Sequence, residues 1–388
     1  VASDKKPTTN TSLWQAHSAA PKALAAFEAN FAKVMGADAL VHADKVETHG
    51  YISSGSISLD YALRTGGLHR GRLIEYHGPE QAGKTTLALL AVAAAQRAYP
   101  EQVAGWVDPE GTLDTGWAVT LGVDLGRLLV VSKPGSAENV ADATRMLVEG
   151  GFCSLVVLDS VGAMVPQAEI DNGASDATVG LLAKIMTRLV KQVCAMGARN
   201  GTTTLLINQQ RANIAAGGNP RAAKTNRPGG FAQSHMGSVR VGLRRGGSDP
   251  IKMKIDGEEE VVAFEVAARV EKNKCAPAGP TALFWIYNRG TDTYGPAGVG
   301  LVDEAAHFGD KTGLIEQTSA GRYLIVSDGT KLHGKPALLR HLREHPDLVQ
   351  EIRARALASV AALVDGSGDE DPDPQGLLEV MQGADDLD

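Results

Sequence analysis

Cysteine is scarce in this chain: among 388 residues there are three, Cys153, Cys194 and Cys275, and none stands in CxxC spacing. A disulfide framework and a zinc ribbon are thereby excluded as the source of the fold. Aromatic residues amount to 5%, and no apolar run approaches the roughly 18 to 20 residues that a membrane helix needs. The longest, Leu87 to Ala95, directly follows a Gly-Lys-Thr turn and reads as a buried helix. The N-terminal stretch Ser3 to Thr11 is polar and lacks the charged-then-apolar order of a secretion signal, so a cytoplasmic protein with no membrane partner is expected. At 43% apolar residues the chain is too hydrophobic for disorder, and its 44 Gly and 17 Pro follow no collagen-like period. A chain of this length buries enough surface for a sizeable core without a covalent staple, and two or three domains are expected.

Acidic residues are missing altogether from Ala177 to Ser248, a stretch that holds eleven bases. It is either a solvated face or a site for a polyanion. The reverse holds from Asp365 to Asp388, with nine acids and no Lys or Arg. Setting those nine aside turns the net charge of −7 into +2 for the body. An acidic, disordered tail on such a body would act as an internal competitor for the polyanion.

Leu24, Phe27, Phe31 and Val34 recur at helical spacing within Lys22 to Met35, and the short apolar segment Ala39 to His42 predicts a strand after it. From Arg72 onward, strands alternate with helices. The strands are expected at Leu73 to His77, Gln102 to Val107, Leu128 to Ser132, Ser154 to Leu158 and Thr203 to Ile207; the helices at Lys84 to Arg97, Ala137 to Glu149 and Val179 to Met196. This order predicts an α/β fold whose central sheet is mostly parallel and covered on both faces. Ser238 to Arg244 and Val261 to Val270 have no helix between them and are expected to extend the sheet antiparallel. Thr291 to Val364 reads as a small α+β domain.

The segment Gly78, Pro79, Glu80, Gln81, Ala82, Gly83, Lys84, Thr85, Thr86 fits G-x-x-x-x-G-K-[ST] between a predicted strand and a predicted helix. Glycines there let backbone N–H groups wrap phosphates at a helix N-terminus, Lys84 neutralises the β and γ oxygens, and the Thr85 hydroxyl ligates Mg²⁺. A nucleoside triphosphate and Mg²⁺ are the expected cofactors. Asp159, closing the apolar run Leu155 to Leu158, is the candidate second acid of the metal shell. Glu110 lies just beyond another strand end, where parallel sheets place their ligands, and is the candidate base that orients water. Asn208 and Gln209 end the next strand with amides suited to sensing a γ-phosphate.

With these residues in order, the sequence resembles the bacterial RecA recombinase family from about Lys22 to Val360. The resemblance rests on Ser53 to Asp60, Gly78 to Thr86, Asp108-x-Glu110, Leu121 to Asp124, Asp159-Ser160, Asn208-Gln209, Gly229-Gly230 and Lys272-Asn-Lys274. It implies ATP as the nucleotide, with Glu110 as catalytic glutamate, Gln209 as the switch between ATP and DNA, and Asp114 and Trp117 against the adenine. Lys272 and Lys274 would reach the neighbouring protomer's γ-phosphate. Lys184, Thr187, Lys191, Arg211, Ile214, Gly229 and Gly230 match DNA-contacting positions, on or beside two loops at Glu169 to Val179 and Gln209 to Gly230.

The implied organisation is an N-terminal tail and helix-strand polymerisation element (1–50), a RecA-like P-loop ATPase core carrying the DNA-binding loops (51–290), a small α+β C-terminal domain (291–364) and an acidic tail (365–388). The implied partners are single-stranded DNA, homologous double-stranded DNA and further copies of the chain in a helical filament, and the implied activity is homologous pairing and strand exchange driven by a DNA-dependent ATPase. The chain departs from the family pattern in Ala212, Ala215, Ala216 and Gly217 and in Ser234-His235, where Lys-Phe is usual. Two other readings stay open at this point: a RecA-like ring motor, and a DNA-binding regulatory scaffold without strand exchange.

Overall fold

A computed structural model of the protein describes residues 20–36, 40, 49–172, 180–209, 236–255, 257–277, 279–291 and 295–364. The chain forms two units, 1–48 and 49–388. In the first, helix α1 (Ala20–Met35) carries Phe27 and Phe31 with ring centroids 5.6 Å apart, while Phe27 and Val34 are exposed. Apart from Leu40, the strand expected at Ala39 to His42 lies outside the described residues.

The second unit opens with β1 (Tyr51–Ile52), α2 (Ile57–Ala62) and β2 (Leu68–His69). There follow β3 (Leu73–Gly78), α3 (Lys84–Ala98), β4 (Val103–Asp108), α4 (Thr115–Thr120), β5 (Leu128–Ser132), α5 (Ala137–Glu149), β6 (Cys153–Asp159), α6 (Gln167–Asn172), α7 (Leu181–Asn200) and β7 (Thr203–Gln209). Then come β8 (Val239–Arg245), β9 (Ile251–Ile255), β10 (Glu258–Asn273), β11 (Ala282–Tyr287) and β12 (Gly298–Val299). Among the described residues they build a ten-stranded sheet ordered β12-β11-β10-β8-β3-β7-β6-β4-β5, with β9 paired to β10.

The central strands are buried on both faces, which is why they read as unbroken apolar runs rather than alternating ones. On one face the alanine-rich α3 lies close against Ile74, Trp106, Leu155 and Leu205; on the other, Val140 of α5 and Met186, Leu189 and Val193 of α7 cover Leu73, Val107, Val156 and Leu206. One expectation needs correction. Strand β8 runs parallel to β3, with Ile74 opposite Val239 and His77 opposite Gly242, and only from β10 onward does the sheet turn antiparallel. The chain between β7 and β8 is long enough to return to the same end of the sheet, which a parallel neighbour requires.

Beyond β12 lie α8 (Leu301–Lys311), the three-stranded antiparallel sheet β13 (Ile315–Ser319), β14 (Arg322–Ile325) and β15 (Lys331–His333), and helices α9 (Lys335–Glu344) and α10 (Pro346–Val364). Their apolar cluster incorporates Ile57 and Tyr61 of α2 beside Phe308, Leu342 and Ile352. Two carboxylates fasten α2 in place. Glu304 accepts from Ser56 Oγ at 2.6 Å and from the Ile57 and Ser58 amides at 2.9 Å, meeting the unpaired N–H groups of the helix start. Asp60, fully buried, accepts from Ser53 Oγ, the Ser54 amide and Arg353, the last at 3.0 Å.

Burial pushes the Glu304 carboxyl up to about 7, with the bonds from Ser56, Ser58 and Ile57 opposing it. Its folded value thus exceeds the ordinary 4.5, so its contribution to stability is fully present below pH 4.5 and is lost as the pH rises through about 7. Urea denaturation at the two ends of that window should show the Glu304→Gln variant losing less stability than wild type. An equal loss in both proteins would remove Glu304 as the titrating group.

No helix among the described residues is long and apolar enough to cross a membrane.

Candidate active site

The Gly-Lys-Thr motif is the turn between β3 and α3. Gly78 has φ 153°, and a Cβ built there would come within 2.0 Å of the Leu243 carbonyl oxygen, so the close approach of β8 requires glycine. Gln81 takes φ 57°, one of the few left-handed non-glycine residues among the described ones. Lys84 is 7% exposed and folds back over the turn, its Nζ donating to the Gly78 carbonyl at 3.0 Å and the Pro79 carbonyl at 2.5 Å. Desolvation lowers its pKa, while the negative charges of Asp159 and Glu80 counteract that shift.

Asp159 ends β6, and its Oδ2 accepts from the Thr85 hydroxyl at 2.8 Å. Its carboxyl is pushed up to about 6, first by burial and then by repulsion from Glu110 and Asp108, against the Thr85 bond and Lys84. Three carboxylates therefore concentrate negative potential in front of the turn. A divalent cation would relieve it, so this donor set fits Mg²⁺ held by one hydroxyl and one acid, with phosphate oxygens completing the shell. Among the described residues no group of three or more His, Cys, Asp or Glu is arranged around a metal position. Mg²⁺ at a phosphate site needs none.

Glu110 projects from the loop after β4. Asp108 accepts from the Gly111 amide at 2.8 Å and the Leu113 amide at 2.9 Å, clasping that loop from within, and Ser160 Oγ donates to Glu110 Oε1 at 3.1 Å. The sequence singled out neither Asp108 nor Ser160 for this positioning. Gln209 stands opposite Gly78 in the β3–β7 register and packs beside Gly162, in the same turn as Ser160. Asn208 does not join it. Strand alternation turns Asn208 to the other face, where it is fully buried and donates to Glu75 Oε1 at 3.1 Å. Asp114 caps α4, its Oδ1 accepting from the Trp117 amide at 2.9 Å, and Trp117 packs on the core, so the pair expected against a base sits at one helix start.

Lys272 and Lys274 lie two strands away from β3: Arg240 stands opposite both Lys272 and Glu75, so Lys272 is level with a residue three before Gly78, and Lys274 lies farther back. The Ser238 amide bonds the Leu73 carbonyl, and the Lys274 amide bonds the Ser238 carbonyl, placing Lys274 level with the start of β3. Gly78 is five residues farther along that strand, about 16 Å at the usual strand rise. Lys274 instead lines a recess of about 350 Å³ with Arg72, Cys194 and Cys275.

Lys184, Thr187 and Lys191 share one side of α7 and line an open groove of about 550 Å³, joined by Arg188 and Gln192, which the sequence reading did not assign. Thr187 Oγ1 donates to the Ala183 carbonyl at 2.6 Å. The other expected DNA-contacting residues, Arg211, Ile214, Gly229 and Gly230, lie outside the described residues, as does most of the loop up to Val179.

Comparison with known proteins adds to this geometry. The family model described as RecA N-terminal domain matches residues 20–292. The chain is 38% identical over 322 residues to the Protein RecA of Thermus aquaticus, covering 82% of this chain and 88% of that one. It is 36% identical over 338 residues to the Protein RecA of Gluconobacter oxydans, covering 86% and 91%, and 40% identical over 306 residues to that of Frankia casuarinae, covering 78% and 82%.

Proposed function

The chain belongs to the RecA family, and from that premise we propose that it is an ATP-dependent DNA recombinase of the cytoplasm, which polymerises on single-stranded DNA, pairs it with homologous duplex and exchanges strands. The observation that carries this reading is the separation of Lys274 from its own chain's Gly-Lys-Thr turn. We take Lys272 and Lys274 to serve a nucleotide on a neighbouring copy, so that turnover depends on assembly. The recess shared by Lys274 and Arg72 is the surface we assign to that neighbour's phosphates.

Within one protomer, Lys84 would neutralise the β and γ oxygens, and Thr85 and Asp159 would hold Mg²⁺, which would screen the charge on those oxygens. Glu110, steadied by Ser160, accepts a proton from the water that adds to the γ-phosphorus as the bond to ADP breaks. Gln209, facing the turn at the end of β7, senses the γ-phosphate and passes its presence to the DNA-binding loop that begins directly after it. The α7 groove holds backbone phosphates through Lys184, Thr187 and Lys191, a recognition that reads no sequence, as pairing any two homologous strands requires. The edge strand β5, with Leu129 and Val130 exposed, is the surface on which we place the N-terminal segment of the next protomer.

Steady-state ATP hydrolysis with and without single-stranded DNA, over a range of protein concentrations, tests the proposal. Strong stimulation that rises cooperatively with protein is expected. Turnover that ignores DNA and scales linearly with protein would overturn it.

A further inference from the structure

His77 and Glu271 are 194 residues apart in the chain, yet His77 Nε2 and Glu271 Oε2 lie 3.0 Å apart. His77 is 3% exposed and immediately precedes Gly78, the first residue of the phosphate turn; Glu271 immediately precedes Lys272. Between them runs β8, and the pair crosses it over Gly242. A Cβ at Gly242 would come within 2.8 Å of Glu271 Oε1 and 3.2 Å of His77 Nε2, so any other residue there would push the bridge aside.

Glu271 is also where the β8–β10 ladder breaks. Val270 pairs with Val241, Lys272 pairs with Arg240, and Glu271 is the extra residue of a bulge. A bulge re-aims the side chains around it, and the position of its extra residue is one point where register can be set. Here the extra residue is met by a buried imidazole at the end of β3. A second bridge runs beside it on the same face: Glu75, two residues before His77, accepts from Arg240 Nε at 3.0 Å, and Arg240 stands opposite Lys272. Both bridges lead from β3 to the strand carrying Lys272 and Lys274.

We propose that the His77–Glu271 bridge is a positioning device that sets the register of Lys272 and Lys274 from the protomer's own phosphate turn, so that a protomer's hold on its own nucleotide governs how it completes its neighbour's site. The inference rests on the reading above in which those lysines act across an assembly interface. His77 and Glu271 touch no substrate in this scheme; they act through the bulge.

The test is Glu271→Gln, which keeps shape and removes charge, beside Gly242→Ala, which wedges the bridge while leaving both partners intact. Lys272→Ala serves as reference. ATP affinity, KM for ATP, melting temperature and DNA-stimulated kcat are measured for each full-length variant. For Glu271→Gln and Gly242→Ala the expected result is a kcat about tenfold lower, the cost of displacing a charged group from its productive position. KM, ATP affinity and melting temperature should stay as in wild type, and combining the two substitutions should lower kcat no further than either alone. A purely structural role would move melting temperature and KM instead, and would overturn the proposal. Wild-type kcat in Glu271→Gln and Gly242→Ala, with Lys272→Ala inactive, would also overturn it while leaving the interface reading standing. Wild-type kcat in Lys272→Ala would remove the interface reading and the proposal together.

Discussion

Lys84→Ala is expected to abolish nucleotide-dependent filaments on single-stranded DNA while leaving the free protein at least as stable as wild type. The two halves of this result have one cause. Lys84 is almost fully buried, and desolvation lowers its pKa, so the folded protein holds an ammonium in a place that disfavours charge. Its bonds to the Gly78 and Pro79 carbonyls offset part of that cost, and a triphosphate would offset far more. Truncation therefore relieves the free state and removes the cation the phosphates need. Leaving a buried charge unpaired typically costs about 3–5 kcal/mol, which corresponds to an ATP affinity weaker by roughly two to three and a half orders of magnitude. Thermal unfolding, fluorescent-nucleotide titration and negative-stain microscopy read the three quantities. Normal filaments from the variant would sink the scheme, and a large fall in melting temperature would show Lys84 to be structural first.

Much of this site is legible in the sequence because phosphate chemistry tolerates few solutions. A turn that wraps an anion with backbone N–H groups needs glycine where the chain reverses and a cation beside it, and Gly78 to Thr86 declares both. The alternation of strand and helix is equally legible, since strands buried on both faces leave unbroken apolar runs. What the chain conceals are contacts whose partners are remote. Nothing near Ile57 announces that α2 completes an apolar cluster with Phe308 and Ile352, or that Glu304 will meet its N-terminus. The sequence pattern reveals that β8 and β10 pair antiparallel, as two strands without a helix between them do, but not that β8 lies parallel to β3, its partner more than 160 residues earlier in the chain. Asn208 shows a subtler limit. Adjacent amides look equivalent in a sequence, but in a strand they face opposite sides: Asn208 serves Glu75, while Gln209, opposite Gly78, packs beside Gly162.

Glu110→Gln should separate binding from chemistry. Glutamine preserves the acceptor that Ser160 Oγ holds at 3.1 Å, so the loop clasped by Asp108 keeps its place. What disappears is the basic lone pair. Loss of a positioned general base lowers turnover by about 10²- to 10⁴-fold, while ATP and DNA affinity remain. The substitution also removes one of the negative charges that raise the Asp159 pKa, after burial itself, so Asp159 should ionise at lower pH. Binding of Mg²⁺ with nucleotide, followed against pH, should then extend to more acid conditions than in wild type. Because hydrolysis is what releases protomers in this scheme, filaments of the variant should outlast those of wild type after excess nucleotide is withdrawn. Single-turnover hydrolysis, nucleotide titration across pH and filament lifetime test the three consequences separately. Retained hydrolysis would take Glu110 out of the base role, and a pH dependence identical to wild type would mean that Glu110 does not act on Asp159.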